Sequence, residues 1–177
     1  MIFIAGKKAS GKDTVANAAV ILGSIAEPST QFRVIHPAKI WVMQTFQVSE
    51  DRYDIFRSKH RSYIQQRAAE VLSGDPTVLL RIIDSTPPEL KRGTIVVGIR
   101  FFHERDYARA HGIPTVLLDT PNKVREQRLI ERGEAFIADD PFEQELIPDQ
   151  WDNVLDGTQD VQRNAMHIIQ LMLRFDG

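Results

Sequence analysis

The sequence predicts an α/β fold in three layers, with helices on both faces of a five-stranded parallel sheet. Three observations carry that expectation. Short apolar runs alternate with segments of helical spacing along the chain. Two of the runs, Thr94-Ile95-Val96-Val97-Gly98-Ile99 and Pro114-Thr115-Val116-Leu117-Leu118-Asp119, are almost continuously apolar, as central strands covered on both faces must be. A glycine loop directly follows the first apolar run, so it lies beyond a strand C-terminal end, where open parallel sheets bind their ligands.

Residues 2–5 form the first strand, and from Gly11 the positions Val15, Ala18, Ala19 and Leu22 have helical spacing. Phe32-Arg33-Val34-Ile35-His36 reads as a second short strand stopped by Pro37, followed by an amphipathic segment with Ile40, Met43 and Phe46. A long helix rich in arginine and glutamine is expected over residues 49–72, closed by Gly74. Asp75-Pro76 has the chemistry of a helix entry, aspartate as cap and proline in the first turn, ahead of Val78, Leu79, Ile82 and Ile83; Pro87-Pro88 ends that helix. A helix between the two central strands stops near Gly112, and another over residues 121–132 stops at Gly133. An acidic, proline-containing stretch, a weak strand over 151–155 and a last helix over 158–174 complete the alternation, and right-handed crossovers make the sheet parallel.

At 177 residues, 42% apolar and 26% charged, the chain has the size of one domain with a sizeable core. Lysine and arginine number 22 against 24 acids, a net charge of -2, so no global positive field argues for nucleic acid or an anionic membrane as partner. The absence of cysteine rules out disulfides and thiolate metal sites. No apolar stretch approaches the roughly 20 residues that span a bilayer, so a soluble protein of the cytoplasm is the default expectation. The five histidines lack metal-ligand spacing, and His103 is expected to make a local hydrogen bond; Trp41 and Trp151 are expected in core or edge packing.

The loop itself reads "GKKASGKDT", residues 6–14. Gly6 and Gly11 frame four residues, Lys8, Ala9 and Ser10 among them, and Lys12 follows at once. Backbone N–H groups of such a loop, continued by a helix N-terminus, wrap a phosphate while the lysine reaches its outer oxygens. An ordinary strand-to-helix turn with an exposed lysine is the alternative. Asp13 stands where a hydroxyl is expected. Beside a polyphosphate a carboxylate is repulsive unless a divalent cation lies between them, so Asp13 fits a magnesium ligand, direct or through water. It also fits orientation of an acceptor, or stabilisation of the positive end of the helix. Thr14 is a weaker magnesium candidate.

The Gly-Lys-Asp-Thr ending resembles the variant phosphate loop of phage-type deoxynucleoside monophosphate kinases, and also that of animal-type phosphomevalonate kinases, both in the adenylate-kinase-like group. Three further segments extend the likeness. "HPAKIWVMQTF" is similar to the first family's Ala-Asp-Pro-Leu-Lys helix entry, with His36-Pro37-Ala38-Lys39 in its place. "RSYIQQ" resembles the arginine and glutamine helix of the acceptor region, and "VVGIRFFHE", with Arg100 and Glu104, resembles a strand end that reads Asp-Val-Arg-Phe-Pro-Asn-Glu. The resemblance implies a P-loop NTPase fold of nucleoside-monophosphate-kinase type, a single domain over 1–177 with an acceptor-binding helical region at about 37–85 and a lid at about 121–145. It also implies ATP and Mg2+ at Gly6 to Thr14.

Phosphoryl transfer asks mainly for positioning and for cations around the transferred group. Lys12 would bridge the outer phosphates of ATP. Arg125, Arg128 and Arg132, spaced by three and four, share one helical face suited to a lid, although Glu126, Glu131 and Glu134 also fit a solvated face; Arg128 is the first candidate. Arg57, Arg61 and Gln65 are each one turn apart, so arginine can grip a phosphomonoester and the glutamine amide can read a base edge; Lys39 and Arg100 join them as acceptor candidates, with Arg81 weaker. Gly98 stands where the resembling families place a strand-end aspartate, and Asp119 ends the next strand. Three functions therefore stay open: a (deoxy)nucleoside monophosphate kinase, a kinase for another small phosphomonoester such as phosphomevalonate, and a non-catalytic nucleotide-binding module. The first leads. The oligomeric state is open, a homodimer included. Asp139, Asp140 and Glu143 in "EAFIADDPFEQE", similar to the families' segment after the lid, receive no role from sequence.

Overall fold

The computed structural model describes residues 1–137 and 140–175. In chain order its elements are β1 (Ile2–Ala5), α1 (Lys12–Ala26), β2 (Arg33–Ile35), α2 (Pro37–Phe46), α3 (Glu50–Gly74), α4 (Val78–Asp84), α5 (Pro88–Lys91), β3 (Thr94–Ile99), α6 (Phe102–Ala110), β4 (Thr115–Asp119), α7 (Asn122–Glu131), β5 (Asn153–Asp156) and α8 (Val161–Phe175). The chain divides into two compact units, Met1–Ile35 with Pro88–Gly177, and His36–Pro87.

The first unit is built on the sheet. Its five strands are all parallel, in the order β2-β3-β1-β4-β5. β1 lies in the middle, with β3 on one side and β4 on the other, and all four of its residues are fully buried. Alternation along the strands sorts the side chains between two faces. Ile2 and Ile4, with Ile95, Val97, Val116 and Leu118, meet Val15, Ala16 and Ala19 of α1 and Ala165, Ile168, Ile169 and Met172 of α8. On the opposite face Phe3 stacks on Tyr107 of α6, ring centroids 6.3 Å apart. Each buried valine, leucine, isoleucine or methionine among these contributes about 1.5–3 kcal/mol relative to exposure, which is why the sheet centre reads as unbroken apolar sequence.

The β1–β3 pairing slips by one residue at its C-terminal end. Ile4 faces Val97 but Ala5 faces Ile99, so Gly98 is a bulge, with φ of +96°. Only glycine takes that conformation without strain.

The second unit is helical. Trp41, Val42, Ile64 and Leu79 form its core, with Phe46, Tyr53 and Phe56 packed against them. Two local expectations change here. Asp75 does not cap α4: its carboxylate accepts the N–H and hydroxyl of Thr77, so the turn closes early and α4 begins at Val78. Nor is the long helix continuous. His60 has φ -119° and ψ 22°, two residues after the Ser58 hydroxyl donates to the Ile55 carbonyl at 2.9 Å. A hydroxyl that bonds back along a helix competes with the backbone ladder and bends it.

Among the described residues no helix is long and apolar enough to cross a membrane.

Candidate phosphate-binding site

The candidate site starts where β1 ends. A fully buried strand delivers Gly6 to the middle of the sheet's C-terminal edge, and the chain turns through Ala9 (φ +62°) and Gly11 (φ +96°) into α1. Close approach explains Gly6: a Cβ there would lie 2.5 Å from Ser10 Oγ and 3.1 Å from the Leu118 carbonyl. Ser10 Oγ is itself buried and has no hydrogen-bond partner among the described residues. Gly11 is the N-cap of α1, and no side chain caps the helix. The first N–H groups of a helix have no partner within it, so an uncapped N-terminus favours an anion, as does the positive end of the helix dipole.

Lys12 is the first residue of α1 and only 9% exposed, while Asp13 beside it is open to solvent. Lys12 Nζ lies 3.7 Å from Asp13 Oδ2. Thr14 is exposed on the same first turn. Among the described residues no three acidic or histidine side chains gather to hold a metal ion. Asp13 can therefore supply one carboxylate to a magnesium ion whose other ligands are phosphate oxygens and water, the pattern this ion prefers.

The arginines of α7 reach the loop from its other side. Arg128 Nη1 donates to the carbonyls of Ala9 (3.1 Å) and Ser10 (3.0 Å), and its Nη2 donates to the Gly157 carbonyl (3.1 Å). Ser10 O also accepts from Thr120 Oγ1 at 2.9 Å. Gly157, just past β5, closes this contact: a Cβ there would stand 1.9 Å from Thr120 Oγ1 and 2.9 Å from Ser10 O. Arg125 is 1% exposed, and its Nη1 donates to the Lys8 carbonyl and to Glu143 Oε2, both at 3.0 Å. Glu143 Oε1 accepts the Lys8 N–H, and Lys8 Nζ pairs with Glu134 at 2.8 Å. Arg132 lies beyond the helix end, exposed. Arg125 and Arg128 thus hold loop carbonyls here.

At the end of β3, Gly98 opens onto space: a Cβ built on it meets no atom within 4 Å. Arg100, half-buried, and Phe101 donate their N–H groups to Glu104 Oε2 at 2.7 and 3.0 Å. Burial pushes the Glu104 carboxyl above its ordinary range, and these two donors only partly oppose it. Glu145 accepts the Phe102 N–H at the start of α6. His103 stacks on Phe101 with ring centroids 5.4 Å apart and leaves Nε2 buried without a partner, in place of the expected hydrogen bond. Trp41 and Trp151 are buried, as packing residues are. Asp119 ends β4 with an exposed side chain, and its carbonyl accepts from the Gly157 N–H.

The remaining acceptor candidates belong to the helical unit. Lys39 is engaged there, 2.8 Å from Glu50 and over the Tyr53 ring; that hydrogen bond raises the Lys39 ammonium and holds the Glu50 carboxyl low. Arg57 and Arg61 fall on opposite sides of the His60 break, so regular helical spacing does not carry across from one to the other; Arg61 and Gln65, both half-buried, share the turn that follows. Arg81 pairs with Asp75.

Asp140 and Glu143 do have places in the structure, whereas Asp139 lies outside the described residues. Asp140 Oδ1 accepts the Phe142 N–H and starts the short 3-10 turn Pro141–Glu143 that presents Glu143. An aspartate before a proline, with a glutamate three residues on, was the available signal for such a turn.

No family model matches the sequence, and neither does any curated protein. Among solved structures the chain is similar to the crystal structure of TT1252 from Thermus thermophilus, with a TM-score of 0.56 and 18% identity, over 98% of this chain and 95% of that one. A likeness at that identity concerns the fold.

Proposed function

We propose that the chain is a P-loop phosphotransferase of nucleoside-monophosphate-kinase type, which transfers the terminal phosphoryl group of ATP to a (deoxy)nucleoside monophosphate. The carrying observation is the glycine loop between the central strand of a parallel sheet and the uncapped N-terminus of α1, with Lys12 as its first helical residue. The strand order turns back on either side of β1, and such a switch point is where parallel sheets open a crevice for ligands.

On this reading the α1 N-terminus and Lys12 bind the outer phosphates of ATP, and Asp13 orients the magnesium ion that accompanies them. When bound, that ion neutralises charge developing on the phosphate oxygens. Arg125 and Arg128 keep the loop in shape by tying the carbonyls of residues 8, 9 and 10. Preorganisation of this kind is what phosphoryl transfer requires of a protein, because little covalent work falls to its side chains. In the sheet unit Arg100 offers a guanidinium to an acceptor phosphate, and within the helical unit Arg61 and Gln65 offer a guanidinium and an amide.

One observation favours a second function. Gly98 carries no carboxylate, and its positive φ disfavours one. A chain that needs a strand-end acid for turnover would then bind nucleotide without consuming it.

ADP formation from ATP and Mg2+, with common ribo- and deoxynucleoside monophosphates and phosphomevalonate as acceptors, separates these functions. Acceptor-dependent turnover that Lys12→Ala abolishes supports the kinase and names its substrate. ATP binding without any stimulating acceptor supports the binding module, and turnover with phosphomevalonate alone moves the acceptor class.

A further inference from the structure

Residue 8 of the loop is held at three points by groups far along the chain. Its N–H donates to Glu143, its carbonyl accepts from Arg125, and its ammonium pairs with Glu134. The first two belong to one unit, because Arg125 and Glu143 are paired with each other at 3.0 Å. That pair is buried, Arg125 at 1% and Glu143 at 6% exposure. Arg125 is fixed further by Asn122 Oδ1 at 3.0 Å and lies over the Phe136 ring, while Glu143 is presented by the turn that Asp140 caps.

A buried ion pair is weak evidence for stability, since apolar side chains of similar volume fill the same space without desolvating two charges. What an apolar pair cannot do is accept the Lys8 N–H and donate to the Lys8 carbonyl at once. We propose that Glu143, together with Arg125, is a positioning residue of the phosphate loop, fixing the peptide groups on both sides of Lys8 and so setting the shape in which the loop receives phosphate. Ser10 N–H is likewise turned inward, to the Lys7 carbonyl at 3.0 Å. With the N–H groups of residues 8 and 10 already engaged, by Glu143 and by the Lys7 carbonyl, anion recognition falls to the start of α1 and to Lys12. The functional half of this assignment rests on the phosphate-loop reading above.

The test uses the full chain, with inorganic tripolyphosphate at fixed magnesium as probe. Affinity is measured by calorimetry, and the Lys8 amide by its proton shift and hydrogen exchange in 15N-lysine-labelled protein. Arg125→Met with Glu143→Leu removes both charges together, so that loss of function is separated from loss of fold. We expect this double variant to melt within a few degrees of the wild type, to lose Lys8 amide protection and to bind tripolyphosphate roughly ten- to hundredfold more weakly, the usual scale for a misplaced binding group. Glu143→Gln, which keeps an acceptor oxygen for the Lys8 N–H, is expected to retain more affinity than Glu143→Leu.

Wild-type affinity in a folded double variant overturns the assignment, as does tighter binding by Glu143→Gln, which would make the carboxylate a competitor of phosphate. A wild-type protein that shows a protected Lys8 amide yet binds no polyphosphate overturns the phosphate-loop reading, and the assignment with it.

Discussion

Arg128 offers the sharpest test of how the α7 arginines work. In Arg128→Ala three hydrogen bonds from a charged donor disappear, to the carbonyls of Ala9, Ser10 and Gly157. Bonds from charged groups contribute about 1.5–3 kcal/mol each when isolated from water. Two features lower the sum. Arg128 is half-exposed, so water reaches the vacated carbonyls, and Ser10 O keeps its bond from Thr120. A net cost of about 2 kcal/mol follows. In urea unfolding this appears as a lower midpoint at unchanged slope. Trp151 fluorescence in a Trp41→Phe background reports the sheet unit, because the two tryptophans lie in different units. Tripolyphosphate affinity should fall in the same variant, as the loop relaxes. A variant that loses affinity with stability unchanged within about 0.5 kcal/mol, the scatter of ordinary surface substitutions, would refute this reasoning and make Arg128 a residue that serves the ligand alone.

Two more outcomes are expected. Gly157→Ala places a methyl group 1.9 Å from Thr120 Oγ1, so it should destabilise by about 1–3 kcal/mol, and adding Thr120→Ala should recover part of that loss in urea titrations; strict additivity of the two would show that they do not meet. Glu104→Gln keeps an acceptor for the Arg100 and Phe101 N–H groups but cannot titrate. Because burial raises the wild-type carboxyl, the native state holds its proton more tightly than the unfolded chain, and wild-type stability falls as pH rises from the unfolded carboxylate range through the native value. The stability of Glu104→Gln relative to wild type should therefore grow across that interval and then level off in unfolding measured at several pH values; a difference independent of pH would remove burial as the cause.

The strands are legible in the sequence because burial on both faces leaves little but apolar residues at 95–97 and 116–118. The loop is legible for a different reason: the glycines at 6 and 11 answer a local backbone demand, close approach at one and a left-handed turn at the other. What escapes a sequence reading is partnership at a distance. Spacing places Arg125 and Arg128 near one face of a helix, but whether that face meets solvent, ligand or protein depends on where the loop lies, more than a hundred residues away. Glu143 is hidden for the same reason, since its partner Lys8 is 135 residues distant. The break at His60 has no neighbouring proline or glycine to announce it in the sequence.

The clamps on the loop also fix when it can form. The ribosome makes residues 6–14 well before Thr120, Arg125, Arg128, Glu143 and Gly157, on which their shape depends, and β1 itself has no neighbour until β3 and β4 exist. At elongation rates of about 5–20 residues per second, the nascent chain spends roughly seven to thirty seconds with its glycine loop unshaped. The shaped loop is thereby deferred until Gly157 has been made, and a chain stalled before β5 carries the whole motif without the fold that gives it a form.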